Sequence, residues 1–188
     1  MGRWEPDARG RLEQAALDLF GERGFEQTTV KEIAARAGLT ERTFFRHFAD
    51  KREVLFPQGN PLREVLVTAL AASPATAAPF EAVSAALQSA SALVGERGEA
   101  ARKRQAVIAA SPELRERELI KLASLAAALA DALRRRGVAD PAASLAAETG
   151  VAVFRIAFGR WATEGDGRDL PHLVRDTLDE LRAMIAGD

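Results

Sequence analysis

The chain has 188 residues, of which 47% are hydrophobic, enough to bury one sizeable core, or one core and a small satellite domain. It has no cysteine, which excludes disulfides and thiolate-bound metals. Its apolar runs fall short of the roughly 20 residues that span a bilayer, and its first residues lack the apolar stretch of a secretion signal. We therefore expect a soluble, cytoplasmic protein without a membrane partner. The formal charge of −1 does not indicate a strongly basic nucleic-acid binder.

The first predicted helix begins near Asp7 and ends at Gly24. Its buried face is formed by apolar residues at helical spacing, namely Leu12, Ala15, Ala16, Leu19 and Phe20. A glycine just past the last turn, followed by Phe25, is typical of a Schellman ending, in which Phe25 packs back on Phe20.

Two short helices follow, separated by Gly38. The first has one apolar face, made of Val30, Ile33, Ala34 and Ala37. Glycine gives the backbone the freedom that lets the second helix cross the first sharply. The pattern predicts a helix-turn-helix, a motif that can enter DNA.

The predicted helix ends support this interpretation. Thr29 followed by Glu32 predicts a capping box, and Thr40 predicts the N-cap of the next helix. In that helix Phe44 and Phe48 lie four residues apart and point to the core. The outer face and its margins are left to Glu41, Arg42, Thr43, Phe45, Arg46 and His47.

The positive charge of this region is local. Residues 1–56 hold ten Lys/Arg and ten Asp/Glu, whereas residues 40–52 hold four basic residues and two acidic ones. This balance predicts modest non-specific affinity for DNA.

The remaining chain also has helical periodicity, without convincing strand alternation. A fourth helix is predicted to begin at Asp50, and the apolar pattern predicts further helices over Phe80 to Val94, Ala101 to Ala110, Leu114 to Leu133, Asp140 to about Trp161, and Leu173 to Ile185. The sequence thus predicts an all-α fold with a helix-turn-helix domain at 1–52 and a helical domain at 53–188. Because the penultimate helix is apolar on most sides, we expect part of its surface to meet a partner.

The segment from Arg9 to Leu55 resembles the TetR family of bacterial transcriptional regulators. The resemblance is carried by Gly24-Phe25, Thr28-Thr29-Val30, Ile33-Ala34, Ala37-Gly38-Leu39, Thr43-Phe44-Phe45, His47-Phe48 and Lys51. These matches cover about a quarter of the chain, and their fixed spacing makes them highly specific. The rest resembles the family in helical content and length.

The resemblance implies that 1–52 bind a palindromic operator as part of a homodimer, and that 53–188 dimerise and bind a small-molecule effector. It implies a repressor rather than an activator. It places Thr28, Thr29, His47 and Lys51 near backbone phosphates. The predicted DNA-binding set is completed by Thr40, Glu41, Arg42, Thr43, Phe45 and Arg46, with Glu41, Arg42 and Thr43 at base edges.

Two residues depart from the family pattern. Phe45 stands where a tyrosine commonly contacts phosphate, and it can still pack against a sugar or a thymine methyl. Arg42 stands where the family often has a small residue. Arginine is suited to bidentate bonding with guanine, which gives about 1 to 3 kcal/mol of discrimination. The alternative for Arg42 is contact with phosphate, or pairing in solvent with Glu41 or with neighbours of Arg46.

The effector site is predicted from lining chemistry alone. The candidate lining residues are Phe80, Val83, Leu87, Leu122, Leu125, Phe154 and Phe158, with Arg102, Arg104 or Gln105 at a polar end. Such a lining favours an apolar or amphipathic ligand of fatty-acid or acyl-thioester type. The alternative is that these residues are ordinary core.

The last two helices can form half of a four-helix dimer interface. The candidate interface residues are Val151, Phe158, Trp161, Leu178, Leu181 and Ile185. The alternative is that these helices only complete the core of one subunit.

Two other functional classes are compatible with a helical chain. An enzyme needs converging catalytic groups, but the chain has two histidines, no cysteine and no phosphate-cradling glycine motif. We therefore expect neither an enzyme nor a metal or other cofactor. A helical adaptor could keep the helix-turn-helix for packing alone, yet it would not need basic side chains along the exposed edge. Salt-dependent binding to duplex DNA separates an adaptor from a regulator.

Overall fold

The computed structural model describes residues 7–56, 61–163 and 167–187. Every regular element within these ranges is an α-helix, which confirms the predicted all-α fold. In chain order the helices are α1 (Ala8–Arg23), α2 (Val30–Arg36), α3 (Glu41–His47), α4 (Pro61–Ala72), α5 (Pro79–Glu96), α6 (Gly98–Ala110), α7 (Pro112–Arg135), α8 (Ala142–Thr163) and α9 (Leu170–Ala186).

The described residues form two compact units. The head contains residues 7–56 and 102–118, and the second unit contains 61–101, 119–163 and 167–187. The division between the units falls inside α6 and inside α7, so each of these helices belongs to both units. The head is thus larger than the predicted segment 1–52, because the segment 53–56 and parts of α6 and α7 bury side chains in its core. The functional division after residue 52 stays a prediction.

The apolar faces of the first three helices meet in the core of the head. Helix α1 contacts both α2 and α3, as the brace predicted from the sequence. Each large side chain that this packing removes from water contributes roughly 1.5 to 3 kcal/mol to stability. Those at most 3% exposed include Leu12, Leu19, Phe20, Ile33, Phe44, Phe48 and Leu55.

The end of α1 is only partly as predicted. The Phe20 and Phe25 ring centroids lie 5.1 Å apart, which confirms the predicted contact. Gly24 has φ 86° and ψ 160°, which is not the left-handed helical conformation of a Schellman ending. The prediction of that motif at Gly24 was therefore wrong.

The Schellman motif lies at the end of α2 instead. The backbone N–H of Leu39 donates to the Ala34 carbonyl at 2.8 Å, and that of Gly38 donates to the Ala35 carbonyl at 3.0 Å. Gly38 has φ +67°, a conformation that side chains other than glycine rarely adopt. The glycine thus allows the sharp turn between α2 and α3.

The predicted fourth helix does not begin at Asp50. The Asp50 carboxylate accepts backbone N–H bonds from Arg52 at 2.8 Å and from Glu53 at 3.0 Å, which holds the chain in a turn. The next helix is α4, which begins at Pro61. Proline suits this position because a first-turn N–H has no partner within the helix.

Helix α5 is central to the second unit and contacts α4, α8 and α9. The core of this unit includes Leu66, Leu70, Val83, Leu87, Leu129, Leu133, Phe154, Trp161 and Leu173. Among the described helices, α8 is the one whose length and composition would suffice to cross a bilayer. Its buried side chains belong to this core, and core helices of soluble proteins pass the same composition test.

Helices α5 and α8 approach closely at Gly150. A Cβ atom at this position would lie 2.4 Å from Cγ1 of Val83, which is fully buried. Because valine is β-branched and has little rotamer freedom in a helix, it cannot turn away easily. We expect Gly150→Ala to lower the free energy of unfolding by about 1 to 3 kcal/mol, as measured by urea denaturation of the full chain.

Gly95→Ala is the matched control, since Gly95 lies in α5 and a Cβ there meets no atom within 4 Å. This change should raise stability by roughly 0.5 to 1 kcal/mol, because alanine loses less backbone entropy in a helix. A Gly150→Ala protein as stable as the parent would contradict the close approach of α5 and α8.

Candidate nucleic-acid interface

The buried side of α3 determines which of its residues face solvent. Phe44 and Phe48 are 0% and 1% exposed, and their rings pack with centroids 5.3 Å apart. The hydroxyl oxygen of Thr40 accepts the Thr43 backbone N–H at 3.2 Å, which confirms the predicted N-cap. The helix is therefore held at its start by a cap and along one side by two phenyl rings.

The outward surface of α3 matches the face predicted from the sequence. Glu41, Arg42, Phe45 and Arg46 are exposed, whereas Thr43 and His47 are half-buried at its margins. One His47 ring nitrogen, Nε2, is covered and has no hydrogen-bond partner. We call Glu41, Arg42, Phe45 and Arg46 the outer face of α3.

Several arginines of the head are neutralised by carboxylates. Arg36 donates two bonds to Glu22, both at 2.9 Å, and this hydrogen bonding lowers the pKa of Glu22 below its ordinary value. Arg23 pairs with Glu32 at 2.9 Å. Paired arginines such as these offer less charge to a polyanion.

The two arginines of the outer face differ from these. Within the described part of the chain, Arg42 and Arg46 have no hydrogen bond or ion pair. The alternative in which Arg42 pairs with Glu41 is therefore absent from the structure. Although the whole chain has a formal charge of −1, this surface carries two unpaired guanidinium groups and one carboxylate, that of Glu41. Such groups can bind phosphate or the edge of guanine without first breaking an internal ion pair.

Thr28 and Lys51 are used inside the head. Thr28 is 1% exposed, and its hydroxyl donates to carbonyls at the end of α1, at 2.9 Å for Gly24. The Lys51 ammonium donates to the Phe25 and Thr28 carbonyls at 2.8 and 3.2 Å and lies 4.3 Å from the Phe25 ring centroid. Both side chains therefore stabilise the loop before α2 and are not among the proposed DNA contacts.

Thr29 is exposed and forms the predicted capping box. Its hydroxyl accepts the Glu32 backbone N–H at 3.3 Å, and the Glu32 carboxylate accepts the Thr29 backbone N–H at 2.9 Å. The bond from the Thr29 N–H lowers the pKa of Glu32. The cap orders the start of α2, beside the turn that leads to α3.

The sequence did not indicate how α1 is fastened to the turn before α3. The Arg11 guanidinium donates to the carbonyl of Ala37, which is the residue before Gly38. This bond joins residues 26 positions apart in sequence, and no local pattern identifies such a pair.

Arg104 was expected at the polar end of an effector pocket, but the structure places it in the head. Its guanidinium donates to the Leu55 carbonyl at 2.7 Å, pairs with Glu118 at 3.2 Å and lies 5.0 Å from the Phe56 ring centroid. Burial lowers the pKa of Arg104, while Glu118 opposes that shift. A second ion pair, Arg52 with Glu113 at 2.8 Å, also joins α7 to the segment after α3.

The predicted apolar residues of the effector site do share one region. Val83, Leu87, Leu125 and Phe154 are buried in the core of the second unit, and Phe80, Leu122 and Phe158 pack against it. An open groove of about 260 Å³ lies between α5 and α9, lined by Ser84, Ala85, Gln88, Arg175, Leu178, Asp179 and Arg182. It shares no residue with the predicted pocket, so the position of an effector stays a prediction.

The predicted dimer residues are divided between core and surface. Val151, Trp161 and Leu178 are buried in the core of their own subunit because α5, α8 and α9 pack together, so they do not offer a surface. Phe158 and Leu181 are half-buried, and only Ile185 is largely exposed, at 77%. The other exposed apolar side chains of α8 and α9 were not among the candidate interface residues; they are Leu145, Ile156 and Met184.

Within 7–56, 61–163 and 167–187, no group of three or more His, Asp or Glu side chains is arranged to hold a metal ion.

Helix α1 braces a helix-turn-helix whose second helix exposes unpaired arginines to solvent. This arrangement is typical of the class of helix-turn-helix DNA-binding proteins. Comparison with protein families identifies the particular family. Residues 13–56 match bacterial regulatory proteins of the tetR family, and residues 77–186, more than half of the chain, match the MftR C-terminal domain. The chain belongs to the TetR family of bacterial regulatory proteins, as the resemblance predicted.

Individual relatives support this assignment. The HTH-type transcriptional regulator TcmR of Streptomyces glaucescens is 41% identical over 80 residues, which are 43% of this chain and 35% of TcmR. The HTH-type transcriptional repressor KstR2 of Mycobacterium tuberculosis is 43% identical over 47 residues, 25% of this chain and 24% of KstR2. The matched segments thus span only a minor part of these curated relatives.

A solved structure matches over nearly the whole chain. The TetR family repressor FadR of Thermus thermophilus, crystallised in complex with lauroyl-CoA, is 26% identical, with a TM-score of 0.59 and 93% of each chain covered. The match covers both units of this chain, so a known repressor has the same fold.

The pairing pattern of the arginines predicts different salt responses for two charge-equivalent variants. Arg46→Gln removes an unpaired cation of the outer face, and each lost phosphate contact should lower the slope of log affinity against log salt by about 0.9. Arg36→Gln removes the same charge from a pair with Glu22 and should leave the slope nearly unchanged. Fluorescence anisotropy with a labelled duplex at several salt concentrations measures both slopes. Equal reductions in the two variants would contradict the distinction between paired and unpaired arginines.

Proposed function

We propose that this protein is a ligand-responsive, DNA-binding transcriptional repressor that acts in the cytoplasm. The observation that carries the proposal is the outer face of α3, where Arg42 and Arg46 are unpaired while other arginines of the helix-turn-helix region, such as Arg23 and Arg36, are held by carboxylates. The KstR2 and FadR relatives, described as repressors, support repression over activation. Family membership supports a regulator over an enzyme.

In this proposal α3 lies in the major groove and Arg42 reads a base. The second helix of a helix-turn-helix reaches base edges mainly through its N-terminal residues, and Arg42 is the second residue of α3. Its guanidinium is exposed and free to form two bonds to guanine O6 and N7. Thr29 and Thr40 precede this helix and His47 lies at the margin of its outer face, and these three are candidates for phosphate contact. Thr43, also at the margin, is a candidate for contact with a base edge.

The proposed operator is a palindrome bound by a homodimer. Two copies of α3 related by a twofold axis would enter major grooves about 34 Å apart, one helical turn of DNA. A surface for dimerisation is supported by the exposed apolar residues Leu145 and Ile156 of α8 and Met184 and Ile185 of α9. Leu145 and Ile156 are 11 residues apart, close to three helical turns, and so share one face of α8.

The proposed effector is an apolar or amphipathic small molecule bound in the second unit. The lauroyl-CoA complex of FadR supports an acyl-type ligand for this chain. Helices α6 and α7 belong to both units, and within the head their residues 102–118 are fastened to the segment after α3 through Arg104 and Glu113. A ligand that binds one arrangement of these helices more tightly would change the population of DNA-competent heads. A ligand with equal affinity for both arrangements would have no effect.

The proposal is tested by selecting bound sequences from random duplexes with the purified full chain. The expected product is a palindromic consensus whose half-sites are about one helical turn apart, with a guanine in each half-site that depends on Arg42. The Arg42→Ala variant should lose about 1 to 3 kcal/mol of discrimination at that one base pair per half-site. Binding constants for single-base operator variants measure this loss.

Three outcomes distinguish the alternatives. Equal weakening of Arg42→Ala on all sequences would mean that Arg42 contacts phosphate and does not read a base. A non-palindromic consensus would contradict the dimer. Absence of any salt-dependent duplex binding by the parent protein would favour a helical adaptor that retains the helix-turn-helix for packing.

A further inference from the structure

Phe45 is an apolar side chain among charged ones on the outer face of α3. The core of the head does not use it. It is 55% exposed, and among the described head residues it is the one large hydrophobic side chain on the surface. The core side of α3 is already filled by Phe44 and Phe48, which are almost fully buried. An exposed phenyl ring at this position therefore has apolar area available for a partner.

We propose that Phe45 is a specificity-determining residue that packs against the C5 methyl group of a thymine in each operator half-site. The inference rests on the proposed function, because it requires α3 to lie in the major groove. A phenyl ring has no group that can hydrogen-bond to a phosphate. In the major groove the thymine methyl is the apolar group that base pairs present, and a phenylalanine is a suitable contact for it.

The position of Phe45 on α3 favours the base edges over the sugars. Phe45 follows Arg42 by three residues and Glu41 by four, and residues at these spacings are neighbours on a helix surface. The rise between Arg42 and Phe45 is about 4.5 Å, against about 3.4 Å per base step. The thymine read by Phe45 should therefore lie within about two base pairs of the base read by Arg42.

The ring is also held in place before DNA binds. It meets the Phe44 ring edge to face, with centroids 5.5 Å apart and an interplanar angle of 83°. Phe44 is 0% exposed and anchored in the head core, so it offers Phe45 a fixed support. A supported aromatic side chain with two rotatable bonds loses little conformational entropy on binding.

The test exchanges each thymine of the selected operator, symmetrically in both half-sites, for deoxyuridine, which differs only by the missing methyl. The dissociation constant of the full chain is measured by fluorescence anisotropy for each duplex. One thymine should be sensitive, with affinity lower by about fourfold per half-site, the factor that corresponds to roughly 0.8 kcal/mol for one buried methyl-sized group. With Phe45→Ala, the exchange at that thymine should have no effect, while other exchanges keep theirs.

Phe45→Leu is the matched variant, because it keeps an apolar side chain and should retain a measurable part of the uracil penalty. Thermal unfolding of both variants controls for folding, and we expect little change because the side chain is exposed. The same uracil penalty in the parent and in Phe45→Ala would overturn the inference. So would weaker binding of Phe45→Ala without any sensitive thymine, which would assign the ring to a sugar. If the parent binds no duplex at all, the proposed function fails instead.

Discussion

The burial of Phe44 and Phe48 is the constraint on which the rest of this structure depends. A helix of seven residues has little intrinsic stability, so α3 is held by its packing against the head and by its Thr40 cap. Because two large rings four positions apart must face inward, the rotation of α3 about its own axis is determined. Arg42, Phe45 and Arg46 are then exposed as a consequence of core packing, and no separate interaction is needed to present them.

Charge pairing explains how a nearly neutral chain can offer a surface to DNA. A net charge near zero says little about affinity when most charges are compensated by neighbours, as Arg36 is by Glu22. Such exposed pairs add little to stability, but they remove positive charge from the rest of the head. On α3, Arg42 and Arg46 carry charge without an ion-pair partner among the described residues, and hydrogen bonds from them can add sequence discrimination to electrostatic attraction.

Local sequence signals predicted the local features well. The capping residues Thr29 and Thr40, the glycine at position 38 and the apolar spacing of α1 all act within a few residues, and the structure confirms each of them. Failures came where distant segments meet, as with Arg104, which bonds to a carbonyl 49 positions earlier. The prediction of dimer residues on α8 failed for a related reason. When a helix is apolar on most sides, a single sequence does not say which side its own subunit covers, and Val151 and Trp161 proved to be core.

The central claim is that the outer face of α3 is the surface that contacts DNA. Since the natural chain has no cysteine, single cysteines can report it directly. Glu41→Cys lies on the outer face, whereas Gln14→Cys lies at an exposed position of α1. The maleimide alkylation rate of each is measured with and without the selected duplex. We expect the bound duplex to protect the cysteine at 41 strongly from alkylation and to leave the rate at 14 unchanged. Equal rates at 41 with and without duplex, under conditions where the protein is bound, would contradict DNA contact through the outer face of α3.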